Sequence, residues 1–229
     1  MSRVDGRGGS QLREVRIEPG VNPYAEGSAI CCFGRTQVLC TASVEQGVPE
    51  FCEELGQGWI TAEYAMLPRA TQTRTSRANA SGGRAREISR LIGRALRAAV
   101  DLQDVRGYTL RIDCDVLVAD GGTRSAAITG GFVALAQALD RLGVEAQVQV
   151  AGISVGIVGG GVVVDLCYEE DSVADVDMNV VVASDGSLVE VQATAEGARF
   201  SLQQFHQMLQ LARAGAQELF RLQREALGW

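Results

Sequence analysis

The spacing of apolar residues predicts a strand followed by a helix in the middle of the chain. Residues 109–118 alternate between apolar and polar side chains, which is the period of a strand with one buried face. Residues 125–142 instead repeat small or apolar side chains at every fourth position, as one face of a helix does, and Gly143 follows as a stop signal. A strand and a helix are therefore expected to flank the five residues from Asp120 to Arg124.

Short runs of β-type residues on either side of this central pair predict further strands. Turn signals such as Glu26-Gly27 and Gly34-Arg35 separate these runs. In the first part of the chain the predicted strands are Val15–Ile17, Ser28–Phe33, Thr36–Ser43 and Trp59–Tyr64. In the second part they are Val148–Val158, Val162–Tyr168, Met178–Ala183 and Leu188–Ala193.

Two other segments have helical spacing. An apolar stripe extends from Ile88 to Val100, after a polar segment, 68–83, that is predicted to be an exposed loop. The final helix begins at about Ser201, where Gln204 completes a capping box, and its predicted inward residues are Phe205, Met208, Leu209, Ala212, Leu219 and Phe220. Groups of strands followed by helices predict an α+β fold, as one domain over 1–229 with halves of about 1–143 and 144–229.

The pentapeptide Asp120-Gly-Gly-Thr-Arg124, here called the phosphate turn, is the first candidate for chemistry. Glycines between a strand and a helix allow backbone N–H groups and the positive end of the helix dipole to face an anion. Thr123 adds a hydroxyl donor and Arg124 a fork that matches phosphate oxygens. Glycine turns before helices are common, so the neighbouring charges must decide whether this one binds phosphate.

The distribution of charge supports an anion site. The chain has no lysine and a net charge of −7, yet residues 69–97 contain eight arginines and one acidic residue, Glu87. The overall charge argues against indiscriminate nucleic-acid binding, whereas a local cationic patch favours a polyanion at one place. The alternative is a solvated helix face.

An acidic segment at 169–179 is the second candidate. In a straight strand Asp171 and Asp177 would lie about 20 Å apart. A reversal between them would bring both carboxylates to one hard divalent ion, and Mg²⁺ accepts one or two carboxylates together with water and phosphate. The alternative is a solvated acidic turn. A phosphate turn, an arginine patch and paired aspartates in one chain supply what phosphoryl chemistry requires.

Composition excludes several other classes. The 46% apolar fraction is ordinary for a globular protein of 229 residues, and no apolar run is long enough for a membrane span. The N-terminus lacks the apolar core of a signal peptide, so we expect no export. Six cysteines without a C-x-x-C pair and a single histidine, His206, argue against zinc and for free thiols in the cytoplasm. Without lysine there is no G-x-x-x-x-G-K-[ST] motif, which excludes a kinase of that type.

Ordered motifs along the whole chain resemble the ribonuclease PH family of phosphate-dependent exoribonucleases. They include Arg-Val-Asp-Gly-Arg at 3–7, Gly-Trp-Ile-Thr-Ala-Glu-Tyr at 58–64, the phosphate turn, Glu-Asp-Ser at 170–172, Asp-Met-Asn at 177–179 and Glu-Val-Gln at 190–192. The motifs at 58–64 and 120–124 are more similar to the bacterial enzymes than to exosome ring subunits. The resemblance implies a duplicated fold like the second domain of ribosomal protein S5, assembled as a homohexamer of three dimers.

The resemblance also implies a role for each candidate residue. Inorganic phosphate, the co-substrate, is expected to bind Arg84, Thr123, Arg124 and the backbone at Gly122. The catalytic aspartates correspond to Asp171 and Asp177, which would either hold Mg²⁺ or include the acid that protonates the leaving 3′ oxygen. The arginines expected to grip RNA, such as tRNA precursors and other RNA 3′ ends, are Arg69, Arg74 and Arg77.

This sequence departs from the family pattern in one region. The stretch before Arg84 reads Ala-Asn-Ala-Ser-Gly-Gly at 78–83 and is shorter than the usual loop. A Thr-His-Thr segment of the family is Thr-Gln-Thr at 71–73. These changes concern RNA affinity rather than chemistry. The alternative function is a catalytically silent RNA-binding subunit of an exosome-like ring, but such subunits often lack the arginines or the paired aspartates that are present here.

Overall fold

A computed structural model describes residues 3–77, 82–197 and 199–229, and its first sheet has five strands. The strands are β1 (Val15–Pro19), β2 (Gly27–Phe33), β3 (Thr36–Gln46), β4 (Trp59–Met66) and β5 (Tyr108–Val118), in the spatial order β1-β2-β3-β5-β4. Only β4 and β5 are parallel. A parallel pair needs a crossover, which α2 (Gly83–Arg97) provides, while α1 (Glu50–Leu55) lies between β3 and β4.

The second sheet is antiparallel and has four strands. They are β6 (Val150–Val158), β7 (Gly161–Val164), β8 (Val176–Ala183) and β9 (Leu188–Ala195), in the order β7-β6-β8-β9. The short helix α4 (Tyr168–Asp171) precedes β8, and the long helix α5 (Leu202–Leu227) follows β9.

One helix, α3 (Thr123–Arg141), packs against both sheets. All of its residues from Ser125 to Ala136 are buried, because β2 and β3 lie on one side and β6 and α5 on another. A helix buried all round has its N-terminus fixed by packing. The phosphate turn at that N-terminus is therefore held between the two sheets.

The prediction of an α+β fold is confirmed, and so are the strand and helix that flank the phosphate turn. The capping box of Ser201 and Gln204 is also present. The predicted strand Val162–Tyr168 is wrong at its end, because β7 stops at Val164 and Tyr168 begins α4. The reason is a reversal at Asp165, which has a left-handed φ of 56°. The shortened stretch 78–81 lies outside the described residues.

Candidate active site

A cleft of about 650 Å³ opens at the N-terminus of α3. Its lining includes residues 121–124 of the phosphate turn and the two candidate aspartates. It is lined by polar and charged residues and by the two glycines of the turn, among them Tyr64, Arg84, Glu87, Gly121, Gly122, Thr123, Arg124, Asp171, Asp177, Asn179 and Gln192. Because β4, α2 and α3 belong with the first sheet and α4, β8 and β9 with the second, both halves of the fold build the cleft.

The phosphate turn has a backbone conformation that requires glycine. Gly121 and Gly122 have φ values of 76° and 68°, in the left-handed region that favours this residue. A Cβ on Gly121 would lie 2.6 Å from the carbonyl oxygen of Leu166, so the turn packs directly against the backbone that leads into α4. The first backbone N–H groups of a helix lack partners within it, and the residues at the start of α3, Gly122, Thr123 and Arg124, line the cleft.

Two contacts orient the side chains of the turn. The hydroxyls of Tyr64 and Thr123 lie 2.8 Å apart. Nη1 of Arg124 donates to Oε1 of Gln192 at 2.9 Å, and Nε2 of Gln192 donates to Glu87 at 3.2 Å. Gln192 thus links the turn to β9 and α2, and the Arg124 fork is held at the cleft.

The two candidate aspartates also line the cleft. Asp171 ends α4 and Asp177 lies in β8, so the fold brings the two residues to one site. Burial raises the pKa of both carboxyls, and the charge of Asp171 raises the pKa of Asp177 further. The guanidinium groups of Arg84 and Arg124 act in the opposite direction on both pKa values. Two acids whose charges repel, facing two arginines, form a site with separated negative and positive sides.

Buried ion pairs fix the segment that leads to these acids. Asp165 accepts hydrogen bonds from Arg13, and Glu170 accepts two from Arg3, at 2.7 and 2.6 Å. Glu170, a member of the acidic segment 169–179, is only 2% exposed. A buried carboxylate requires such partners, because an unpaired charge there is strongly unfavourable. The N-terminal arginines therefore hold α4 in place.

The arginine patch does not converge on the cleft. In the described part of the chain, Arg84 is the member of the 69–97 window that lines it. Arg94 pairs with Glu190, and Arg97 stacks on Trp59 at 4.3 Å. The predicted RNA-gripping residues Arg69, Arg74 and Arg77 are exposed in the segment before α2, outside the cleft lining.

Sequence reasoning assigned no role to Tyr64, Asn179 or Gln192. All three lie in motifs that resemble those of the ribonuclease PH family. Their location in these motifs could have identified them as candidate site residues. Asn179 donates to both carboxylate oxygens of Asp177, at 3.2 and 3.1 Å. His206 is exposed in α5 beside Phe205 and does not line the cleft.

Two kinds of feature are absent from the described residues, namely a cluster of acidic, histidine or cysteine side chains for a metal ion and a helix that could span a membrane. Within residues 3–77, 82–197 and 199–229, no group of three or more His, Cys, Asp or Glu side chains is arranged to hold a metal ion. Among the helices of these same segments, none combines the length and the apolar character needed to cross a membrane.

Solved structures define the class of fold. A chain of the Archaeoglobus fulgidus exosome with RNA bound to the active site superposes with a TM-score of 0.83 and 26% identity, covering 96% of this chain and 92% of that one. Rice (Oryza sativa) Rrp46 superposes with a TM-score of 0.84 at 20% identity, covering 99% and 100%, which shows a shared fold alone. The chain therefore has the fold of exosome-core subunits.

Sequence comparison identifies the family. The models of the 3′ exoribonuclease family match residues 11–139 with domain 1 and residues 149–215 with domain 2. Two relatives named Ribonuclease PH, from Nocardia farcinica and a Synechococcus species, are 52% and 54% identical over 236 residues. Both alignments cover 98% of this chain, and 92% and 97% of the relatives. The chain belongs to the 3′ exoribonuclease family that includes ribonuclease PH.

Proposed function

We propose that this protein is a phosphate-dependent 3′-5′ exoribonuclease that removes nucleotides from RNA 3′ ends by phosphorolysis. The observation that carries the proposal is the single cleft in which the phosphate turn and Arg84 face Asp171 and Asp177. The 52% and 54% identity to proteins named Ribonuclease PH supports the same activity.

The cleft residues fit the proposed reaction. An oxygen of inorganic phosphate attacks the phosphorus of the last phosphodiester, the bond from that phosphorus to the 3′ oxygen breaks, and a nucleoside diphosphate leaves. The attacking hydrogen phosphate loses its proton, and the 3′ oxygen of the shortened RNA gains one, so the step balances. Because one anion attacks another, Coulomb repulsion is the main obstacle. Arg84, Arg124, the Thr123 hydroxyl and the N–H of Gly122 offset this repulsion. Contacts with Tyr64 and Gln192 orient Thr123 and Arg124 before substrate binds.

The aspartates fit a magnesium ion. Mg²⁺ needs one or two carboxylates and takes its remaining ligands from water and phosphate, so Asp171 and Asp177 suffice without a third acidic ligand. Their raised pKa values reflect burial and, for Asp177, the charge of Asp171, and a cation between them would relieve that repulsion. When bound, Mg²⁺ would neutralise charge on the phosphates. Asn179 keeps the Asp177 carboxylate in one orientation by donating to both oxygens.

The proposed substrates are tRNA precursors, which would make the protein a tRNA nucleotidyltransferase, together with other RNA 3′ ends, including those of ribosomal RNA. Arg69, Arg74 and Arg77 lie outside the cleft lining in an exposed segment, a position suited to contacting the RNA backbone away from the reacting bond.

We also propose that the protein assembles as a homohexameric ring of three dimers in the cytoplasm. Phe51 and Trp229 are 50% and 61% exposed, and large apolar groups of this kind favour contacts with further copies. All six cysteines are unpaired thiols, which is usual in a reducing compartment. Light scattering should give the mass of six chains, and a stable monomer at micromolar concentration would contradict the assembly.

The activity is tested with a short oligoribonucleotide and Mg²⁺, with and without inorganic phosphate. Shortening that requires phosphate and releases nucleoside diphosphates supports the proposal. Binding of RNA without shortening under any of these conditions would instead identify a silent ring subunit. Shortening that is equally fast without phosphate would identify a hydrolase.

A further inference from the structure

Two residues outside the cleft hold the peptide groups of the phosphate turn. The carbonyl oxygen of Asp120 accepts from Nη1 of Arg13 at 2.6 Å and from the backbone N–H of Tyr168 at 3.2 Å. The carbonyl oxygen of Gly121 accepts from the Thr36 hydroxyl at 2.7 Å and from Nη2 of Arg13 at 3.4 Å. Oγ1 of Thr36 also accepts from the N–H of Asp120 at 2.9 Å. Arg13 is 7% exposed, Thr36 is fully buried, and neither lines the cleft.

These contacts decide where the next N–H groups point. In a planar trans peptide the C=O and the N–H point in opposite directions. The carbonyls of Asp120 and Gly121 face Arg13 and Thr36, so the N–H groups of Gly121 and Gly122 face away from them. In the described part of the chain these two N–H groups donate to no protein atom. Both glycines line the cleft, so the two N–H groups are donors available to an anion there.

The same arginine reaches the segment before the catalytic aspartate. Nε and Nη2 of Arg13 donate to the two carboxylate oxygens of Asp165, at 3.0 and 2.6 Å, and its backbone N–H donates to the same group at 2.7 Å. A Cβ on Gly122 would lie 2.9 Å from Nη2 of Arg13, so the absence of a side chain there allows this approach. One guanidinium therefore joins the phosphate turn to the segment that leads into α4.

We propose that Arg13 and Thr36 are positioning residues of the phosphate site: they aim the N–H groups of Gly121 and Gly122 into the cleft, and Arg13 sets the distance between the turn and the aspartates. Neither residue touches the substrate. The inference rests on the proposed phosphorolytic function, because it assigns the turn to phosphate.

A matched pair of variants at Thr36 tests the inference. Thr36→Val keeps the shape but removes the hydroxyl, whereas Thr36→Ser keeps the hydroxyl. We expect Thr36→Val to raise the phosphate Kd, measured by calorimetry, and the phosphate KM by about three- to tenfold, the effect of one or two lost hydrogen bonds. Thr36→Ser should restore both constants. A lower melting temperature with unchanged Kd and KM would mean that Thr36 serves only the fold, and would overturn its role.

Arg13→Lys provides the second test. A lysine keeps the charge beside Asp165 but cannot reach the Asp120 carbonyl at the same time, because an ammonium is a single point rather than a fork. We expect a higher phosphate Kd and KM from Arg13→Lys. The control is Arg35→Gln, since exposed Arg35 contacts the turn only through the Asp120 carboxylate, at 3.0 Å, and should leave both constants unchanged.

The outcomes separate this inference from the proposed function. A wild-type protein that neither binds nor requires phosphate would refute the function. A wild type that requires phosphate, with Arg13→Lys and Thr36→Val both binding it as tightly as the wild type, would refute the positioning role alone. If Thr36→Val does not fold, Arg13→Lys decides by the same criterion, and equal effects of Arg13→Lys and Arg35→Gln would also overturn the inference.

Discussion

The phenolic oxygen of Tyr64 lies 2.8 Å from the hydroxyl of Thr123 and joins β4 to the first turn of α3. Burial raises the pKa of the phenol, so Tyr64 keeps its proton at neutral pH. If that proton is donated to Thr123, the threonine hydrogen is free to bond an anion in the cleft. The Tyr64 phenol would then take no part in the reaction itself, but it would orient the Thr123 hydroxyl toward the bound phosphate.

Removing the phenolic hydroxyl should weaken phosphate binding. We expect Tyr64→Phe to raise the phosphate KM by about three- to tenfold, because Thr123 loses the partner that orients it. Steady-state kinetics with a short oligoribonucleotide measures this change. The matched control is Tyr24→Phe, a tyrosine that is 93% exposed and outside the cleft lining. An unchanged phosphate KM in Tyr64→Phe would show that Thr123 is oriented without the phenol.

Replacing Asp177 should stop turnover without destabilising the fold. The pKa of Asp177 is raised in the folded protein, so folding favours its protonated form, and the ionised carboxylate lowers the free energy of unfolding at neutral pH. Asp177→Asn should therefore melt at the same temperature as the wild type or higher near pH 7. This difference should shrink as the pH falls through the raised folded-state pKa and be absent below about 4, where the acid is protonated in both states.

The rate provides the second half of this test. We expect Asp177→Asn to lower kcat by at least about 100-fold. Asp175→Asn, a neighbouring change outside the cleft lining, should retain normal turnover. If the Asp177→Asn variant unfolds, or turns over at the wild-type rate, Asp177 has a structural rather than a catalytic role.

A change of ligand atom should distinguish metal binding from proton donation. In Asp171→Cys the ligand becomes a soft thiolate, which binds Mg²⁺ poorly and softer ions such as Cd²⁺ or Mn²⁺ better. We expect this variant to be inactive with Mg²⁺ and to regain activity with one of the softer ions. Equal inactivity with every ion, while the wild type accepts them, would favour a role in proton transfer over one in metal binding.

The exposed arginines should contribute to the binding of long RNA substrates but not to the cleavage of short ones. Changing Arg69, Arg74 and Arg77 to alanine should weaken binding of a tRNA precursor. The slope of log binding constant against log salt concentration should become shallower by about one for each lost phosphate contact. Cleavage of a short oligonucleotide should be unchanged at saturation. A triple variant of Arg106, Arg141 and Arg213, exposed arginines outside the cleft lining, controls for the loss of three charges. Equal loss of turnover on both substrates would place the 69–77 segment in the catalytic centre.

Local pattern was sufficient for most strands and the three long helices, but not for the short helices α1 and α4 or for the contacts between distant segments. Alternation predicted β5 and four-residue spacing predicted α3, because each of these signals is contained within one element. The pairing of Arg13 with Asp165 joins residues 152 positions apart and leaves no periodic signal. The four-residue helix α4 was missed for a related reason, since its position depends on Glu170 and Arg3 rather than on its own spacing.

The fate of labelled phosphate tests the central claim most directly. The protein is incubated with a short oligoribonucleotide, Mg²⁺ and ³²P-labelled inorganic phosphate, and the released nucleotides are separated. Phosphorolysis predicts that the label appears in the β-phosphate of nucleoside diphosphates, with one labelled phosphate per nucleotide released. Release of unlabelled nucleoside monophosphates at an undiminished rate, with or without phosphate, would contradict the account.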